Sequence, residues 1–163
     1  MIHVAILIVS DKSYQGSRGD QTGPALTKVL SPHASVSPVQ IIPDEFEMIK
    51  AALIELSDRG EYDIIFTSGG TGLSPRDVTP EATLAVVERL APGIPEAMRA
   101  ASLEITPRAM LSRAISGVRG KTLIVNLPGS PKGALENLQI FLPTMLHAVE
   151  TLRGDAHECA PLS

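Results

Sequence analysis

The sequence predicts an α/β fold: a three-layer sandwich in which a mostly parallel sheet is covered by helices on both faces. Three observations carry that expectation. Short apolar runs rich in β-branched residues recur along the chain at His3 to Val9, Tyr62 to Phe66 and Thr122 to Leu127, and read as buried strands. Between them lie segments with apolar residues at helical spacing, such as Phe46, Ile49, Leu53 and Leu56, one face of an amphipathic helix. The regular alternation of the two patterns implies right-handed strand–helix–strand crossovers. Ligands in such sheets bind beyond the carboxyl ends of the strands.

Each element can be justified in order. His3 to Val9 is the first, central strand, and Ser10 to Gly23 is a polar loop with three glycines. Pro24 to Leu30 reads as a short helix. Val36 to Ile42 is a second strand interrupted by Pro38, which places it at an edge because proline cannot donate to a ladder. Asp44 stands as the N-cap of the next helix, with Glu47 in capping-box position, and that helix runs to Gly60. Tyr62 to Phe66 is the third strand. Thr79 caps and Pro80 opens a helix through Leu90, which Pro92-Gly93 breaks. Helical patterns follow from Pro95 to Ile105 and from Pro107 to Arg113. After the strand at Thr122 to Leu127, a long C-terminal helix is restarted or kinked at Pro143. Met48, Met98, Met110 and Met145 fall at apolar helical positions and are expected in the core.

Composition narrows the function. At 163 residues the chain reads as one domain spanning 1–163, large enough to bury a core without staples. The single cysteine, Cys159, rules out an internal disulfide framework and a cysteine-based zinc cage, and fits a reducing, cytoplasmic setting. His3, His33, His147 and His157 show no metal-ligand spacing. A net charge of −4 with no Trp argues against a nucleic-acid partner, whose affinity needs clustered cations and stacking aromatics. The apolar start is too short to span a membrane and has no basic leader.

Chemistry concentrates in the loops after the strands. Thr67-Ser68-Gly69-Gly70-Thr71-Gly72 ends a buried run, and its backbone can approach a ligand closely, as an anion-binding nest does. Asp77 follows. A carboxylate beside a phosphate-sized nest is tolerable when a divalent cation sits between them, which suggests a nucleotide with magnesium. Ser10-Asp11, Pro43-Asp44-Glu45 and Asn126-Leu127-Pro128-Gly129-Ser130-Pro131-Lys132-Gly133 fall at the same sheet edge. The Pro-Gly-Ser-Pro turn delivers a helix N-terminus and Lys132 to a fixed place, a second candidate anion site.

Thr-Ser-Gly-Gly-Thr-Gly at 67–72, Arg-Asp-Val-Thr-Pro-Glu-Ala-Thr at 76–83, Leu-Ser-Arg at 111–113 and Leu-Pro-Gly-Ser-Pro-Lys at 127–132 resemble the molybdopterin adenylyltransferases of molybdenum cofactor biosynthesis, the Mog and MoaB-like family. Ile-Pro-Asp-Glu at 42–45 and Val-Ser-Asp at 9–11 add to the likeness, which runs in order from Ile2 to Arg153. The resemblance implies a homotrimer that uses magnesium and ATP to adenylylate molybdopterin, releasing pyrophosphate and passing the product to a molybdate-inserting enzyme. It also implies roles. Asp44 and Asp77 would hold the metal or orient the triphosphate. Ser10, Asp11, Ser68, Gly69, Gly70, Thr71, Gly72, Ser112, Pro128, Gly129 and Ser130 would contact substrate, and Arg113 and Lys132 would meet phosphate charge.

Plainer readings stand beside these. Asp77 can close an Asx-type turn before Thr79, and Asp44 can cap its helix. The glycine loop can be a tight turn, Ser112 can lack any contact with substrate, and a solvated helix face accounts for Arg113 and Lys132. Arg18-Gly19-Asp20 matches an adhesion tripeptide by chance. Two other functions compete: a nucleotide pyrophosphatase of related fold, as in competence-damage-like proteins, and a non-catalytic trimer that carries molybdopterin. Two acidic residues at the site favour the enzyme, because a pure binder of a phosphorylated pterin gains nothing from added negative charge.

Overall fold

A computed structural model describes residues 1–155; Cys159 and His157 lie outside the described residues. The chain runs β1 His3–Val9, α1 Asp11–Tyr14, α2 Thr22–Leu30, β2 Ser35–Val36, β3 Gln40–Ile42, α3 Phe46–Asp58, β4 Ile64–Ser68, α4 Thr79–Leu84, β5 Arg89–Leu90 and α5 Gly93–Leu103. A 3-10 turn at Pro107–Leu111 leads to β6 Ser116–Arg119, β7 Thr122–Leu127, α6 Pro131–Phe141, a second 3-10 turn at Leu142–Thr144, and α7 Met145–Arg153. The seven-stranded sheet has the order β2-β1-β4-β7-β6-β5, with β3 also on β1. β1, β4 and β7 are parallel in the centre, while β5 and β6 add an antiparallel edge.

The period-2 geometry of strands explains why the central ones are apolar throughout. Val4, Ile6 and Ile8 of β1, with Phe66 of β4 and Val125 of β7, pack on one face among side chains of α2, α5, α6 and α7. Ala5, Leu7 and Val9, with Ile65 and Ile124, pack on the other face against α3 and α4. The first face includes an edge-to-face pair of Phe66 and Phe141, ring centroids 6.1 Å apart.

The structure corrects several expectations. The loop expected over 10–23 contains α1, and α2 begins at Thr22, where the Asp20 carboxylate accepts from the Thr22 and Gly23 amides. The 36–42 strand divides around Pro38 into β2 and β3. Asp44 is not the cap of α3: Glu45 holds that position without a side-chain cap bond, because the Asp44 carboxylate accepts instead from the Asp11 amide. Thr79 is likewise not a cap. It is the first helical residue of α4, Val78 is the N-cap, and the Thr79 hydroxyl donates to the Gly69 carbonyl at 2.9 Å.

The helix expected to reach Leu90 ends at Leu84. Val86-Val87 are β-branched and disfavour a helix, and the segment instead bonds β6, through Glu88 N to Val118 O and Ala91 N to Ser116 O. The sequence pattern does not predict β6, since Ser116-Gly117 interrupt its apolar run. The helix expected over 107–113 is a 3-10 turn ending at Leu111. Met98 and Met145 are core residues, but Met48 and Met110 are 43% and 66% exposed.

Candidate active site

The parallel strands β1, β3, β4 and β7 bring their carboxyl ends to one edge, and a cleft of about 660 Å³ opens there. Ser10 and Asp11 enter it after β1, Asp44 after β3, Ser68, Gly69, Gly70 and Asp77 from the end of β4 and beyond, and Gly129 and Ser130 after β7. The other predicted site residues, Thr71, Gly72, Ser112, Arg113, Pro128 and Lys132, do not line it.

The glycine loop is built by close approach. Gly69 and Gly70 have φ of 107° and 67°, left-handed backbone that favours glycine. A Cβ on Gly69 would lie 2.2 Å from the Val9 carbonyl oxygen, and one on Gly70 would lie 2.3 Å from Thr79 Oγ1 and 3.1 Å from Asp44 Oδ1. The loop is pinned by Ser68 Oγ donating to Pro128 O at 2.7 Å, Gly69 N to Leu127 O and Thr79 N to Gly70 O. Across the cleft Ser130 caps α6 by accepting from the Gly133 amide, and Thr22 Oγ1 donates to Gly129 O at 3.3 Å.

Carboxylates and cations line the cleft together. Asp11 and Asp44 bond reciprocally: the Asp11 amide donates to Asp44 Oδ2 at 2.8 Å and the Asp44 amide to Asp11 Oδ1 at 3.0 Å. Arg76 grips Asp11 through Nε and Nη2, each at 3.0 Å, and holds the Asp11 carboxyl below its ordinary pKa. Asp44 is shifted the other way. Burial raises it, and the neighbouring charges of Asp11 and Asp77 add to the effect against the bond from the Asp11 amide. Asp77 Oδ2 accepts from the Ser74 amide at 3.0 Å, so Asp77 faces the cleft and closes the turn behind it rather than an Asx-type turn ahead toward Thr79.

Three of the remaining predicted residues make their contacts outside the cleft. Arg113 turns into the protein: Nε donates to Gly72 O at 2.7 Å, Nη2 to Asp77 O at 2.6 Å, and Nη1 pairs with Glu81. Its amide bonds the buried Thr71's carbonyl, so Arg113 organises the loop that carries Asp77. Ser112 Oγ accepts from the Ala114 amide. Lys132 is exposed and lies 3.7 Å from Glu136. The cations that do line the cleft are Lys12, Arg18 and Arg76; sequence reasoning assigns Arg76 no role of its own and sets Arg18 aside as a chance tripeptide. Lys12 and Arg76 carry a signal in their adjacency to Asp11 and Asp77, whereas Arg18 reaches the cleft only through the fold, with Nη2 donating to Ser10 Oγ at 3.4 Å.

No group of three or more His, Cys, Asp or Glu poised for a metal occurs among the described residues. Asp44 and Asp77 are the two carboxylates that could hold a magnesium ion, which keeps water and substrate phosphates and takes one or two carboxylates; a cation there would relieve the repulsion that the Asp77 charge exerts on Asp44. Among the described residues no helix is long and apolar enough to cross a membrane.

Fold and site together define an α/β protein with an acidic, glycine-lined cleft at the carboxyl edge of its sheet, a class suited to phosphate-bearing ligands. Residues 5–147 match the family model described as "Probable molybdopterin binding domain". The molybdopterin adenylyltransferase of Helicobacter pylori strain J99 is 39% identical over 94% of this chain and 89% of its own. Gephyrin of Dictyostelium discoideum is 38% identical over 98% of this chain and 24% of its own length. The crystal structure of MoaB, a molybdopterin biosynthesis enzyme from Thermus thermophilus, superposes with a TM-score of 0.89 at 50% identity, covering 94% of this chain and 98% of that one. The chain belongs to the molybdopterin adenylyltransferase family, the Mog and MoaB-like proteins of molybdenum cofactor biosynthesis.

Proposed function

We propose that this protein transfers the adenylyl group of ATP to molybdopterin, releases pyrophosphate, and yields the adenylylated pterin to a molybdate-inserting enzyme. The observation that carries the reading is the convergence of Asp44 and Asp77 on the Gly69-Gly70 loop, in a chain whose relatives bear that activity's name. The terminal phosphate oxygen of the pterin attacks the α-phosphorus of ATP. A new P–O bond forms, the bond to the β-phosphate breaks, and its electrons leave with pyrophosphate. The attacking oxygen is already anionic near neutral pH, so the protein supplies positioning and charge neutralisation rather than a strong base.

The cleft's residues divide that work. The Gly69-Gly70 loop and the capped N-terminus of α6 receive phosphate oxygens, the first because its side-chain-free backbone admits close approach and the second because it is a positive helix end. Lys12 and Arg18 extend the positive charge from the β1 side. Asp44 and Asp77 would hold magnesium, which supplies neutralisation of the triphosphate when bound. Asp11 is already neutralised by Arg76 and positions rather than binds. The active form is a homotrimer, a reading supported by exposed apolar side chains such as Leu90, Ile105, Met110 and Leu146.

The deciding experiment incubates the purified protein with ATP, magnesium and molybdopterin and follows pyrophosphate and adenylylated pterin. Release that requires the pterin is the expected result. Hydrolysis of a dinucleotide with water and no pterin would mark a pyrophosphatase, and retained molybdopterin without ATP consumption would mark a carrier. Either would overturn the proposal.

A further inference from the structure

Arg76 stands between β4 and α4, yet its side-chain bonds reach other loops. Its guanidinium takes both oxygens of Asp11 after β1 and, through Nη2 at 3.0 Å, Glu45 Oε1 after β3. Asp11 and Glu45 flank Asp44: Asp11 through the reciprocal amide–carboxylate pair, Glu45 as its chain neighbour. Asp44 has acidic neighbours in Asp11 and Asp77 and Arg76 as its cation, so an untethered Asp44 carboxylate would be driven toward solvent.

We infer that Arg76 is a positioning residue: gripping Asp11 and Glu45 on either side, it fixes the Asp44 carboxylate where the cleft uses it. The planar fork matters as well as the charge, because three acceptor oxygens on two loops are met by one rigid group, which a lysine ammonium cannot reproduce. The alternative for a cleft arginine is direct contact with substrate phosphate. That role would leave the Asp11–Asp44 pair intact when Arg76 is removed.

The kinetic part of the test rests on the adenylylation reading; the structural part does not. Arg76 is about half exposed, so Arg76→Gln and Arg76→Lys are expected to fold. In both, hydrogen-exchange protection of the Asp11 and Asp44 amides should fall about tenfold or more, since those amides form the pair. The rate constant kcat should fall roughly ten- to hundredfold with little change in KM for ATP, the mark of lost positioning. Asp11→Ala should reproduce the loss, and the Arg76→Gln/Asp11→Ala double variant should be no worse than the more damaging single one. Unchanged amide protection in Arg76→Gln, or a raised KM with additive losses in the double variant, would overturn the inference in favour of direct substrate contact. If the wild type releases no pyrophosphate, the adenylylation reading falls and the amide protections alone decide the role of Arg76.

Discussion

Asp44 is held where ionisation is costly, and its environment makes that cost measurable. Burial raises its folded pKa, so the folded state binds a proton more tightly than the unfolded state, and stability declines as pH rises through the folded value. Asp44→Asn keeps a carbonyl for the Asp11 amide and removes the charge. It is expected to melt higher than the wild type near neutral pH, with the gap closing as pH falls and Asp44 takes up its proton. Melting curves across acidic and neutral pH check this; a gap independent of pH would contradict it. Asp11 has the opposite sign: Arg76 lowers its pKa, so its contribution is present above the unfolded value and is lost as pH falls through the folded one. That contribution is small, since Arg76 is about half exposed. Asp77→Asn is expected to cut turnover about a hundredfold, on the order of 3 kcal/mol of transition-state stabilisation, with a melting temperature no lower than the wild type's, since a charge that repels Asp44 is removed. An asparagine carbonyl can still accept from the Ser74 amide, so the turn survives; full activity in a folded variant would sink the role. The place of Asp44 and Asp77 at the cleft was legible in the sequence because acids that follow strands fall at the sheet's carboxyl edge. Arg76 was not, because its partners lie 65 and 31 residues away. The charges of Arg113 and Lys132 were equally plain, but their directions were not: Arg113 points at carbonyls of its neighbouring loop and Lys132 at Glu136.

Among the elements, β1, β4 and β7 could be read directly because strands buried on both faces are apolar at nearly every position. β5 and β6 could not, since two-residue and Ser-Gly-containing strands are defined by the partner that pairs with them. One buried network joins these levels. Asn126 of β7 donates to Thr67 Oγ1 at 2.9 Å and Thr83 Oγ1 at 3.0 Å, and its Oδ1 accepts from the Ile115 amide leading into β6. Thr83 donates in turn to Thr79 O, and Thr79 to Gly69 O. Polar bonds thus run from the sheet interior through α4 to the glycine loop. Asn126→Ala would strand several of these groups without partners, at a cost of about 3 kcal/mol. Urea denaturation should show that loss, and a change within a few tenths of a kcal/mol would mean that water or repacking replaces the amide.

For the whole molecule, the parallel direction of β1, β3, β4 and β7 brings loops far apart in sequence to one edge, which is why motif order alone pointed to a single cleft. Assembly is a property of the same scale. Light scattering at micromolar concentration is expected to give three times the 17.3 kDa chain mass, and a monomer would contradict the trimer. The opposite edge of the sheet has its own organisation. Arg153, at the end of α7, donates to the Met1 carbonyl and grips Asp63, whose carboxylate also accepts from the His3 amide. The first strand and the last helix are therefore buckled together on the side facing away from the chemistry. Because β1 carries Ser10 and Asp11 at its other end, this buckle anchors from behind the same strand that feeds the cleft in front.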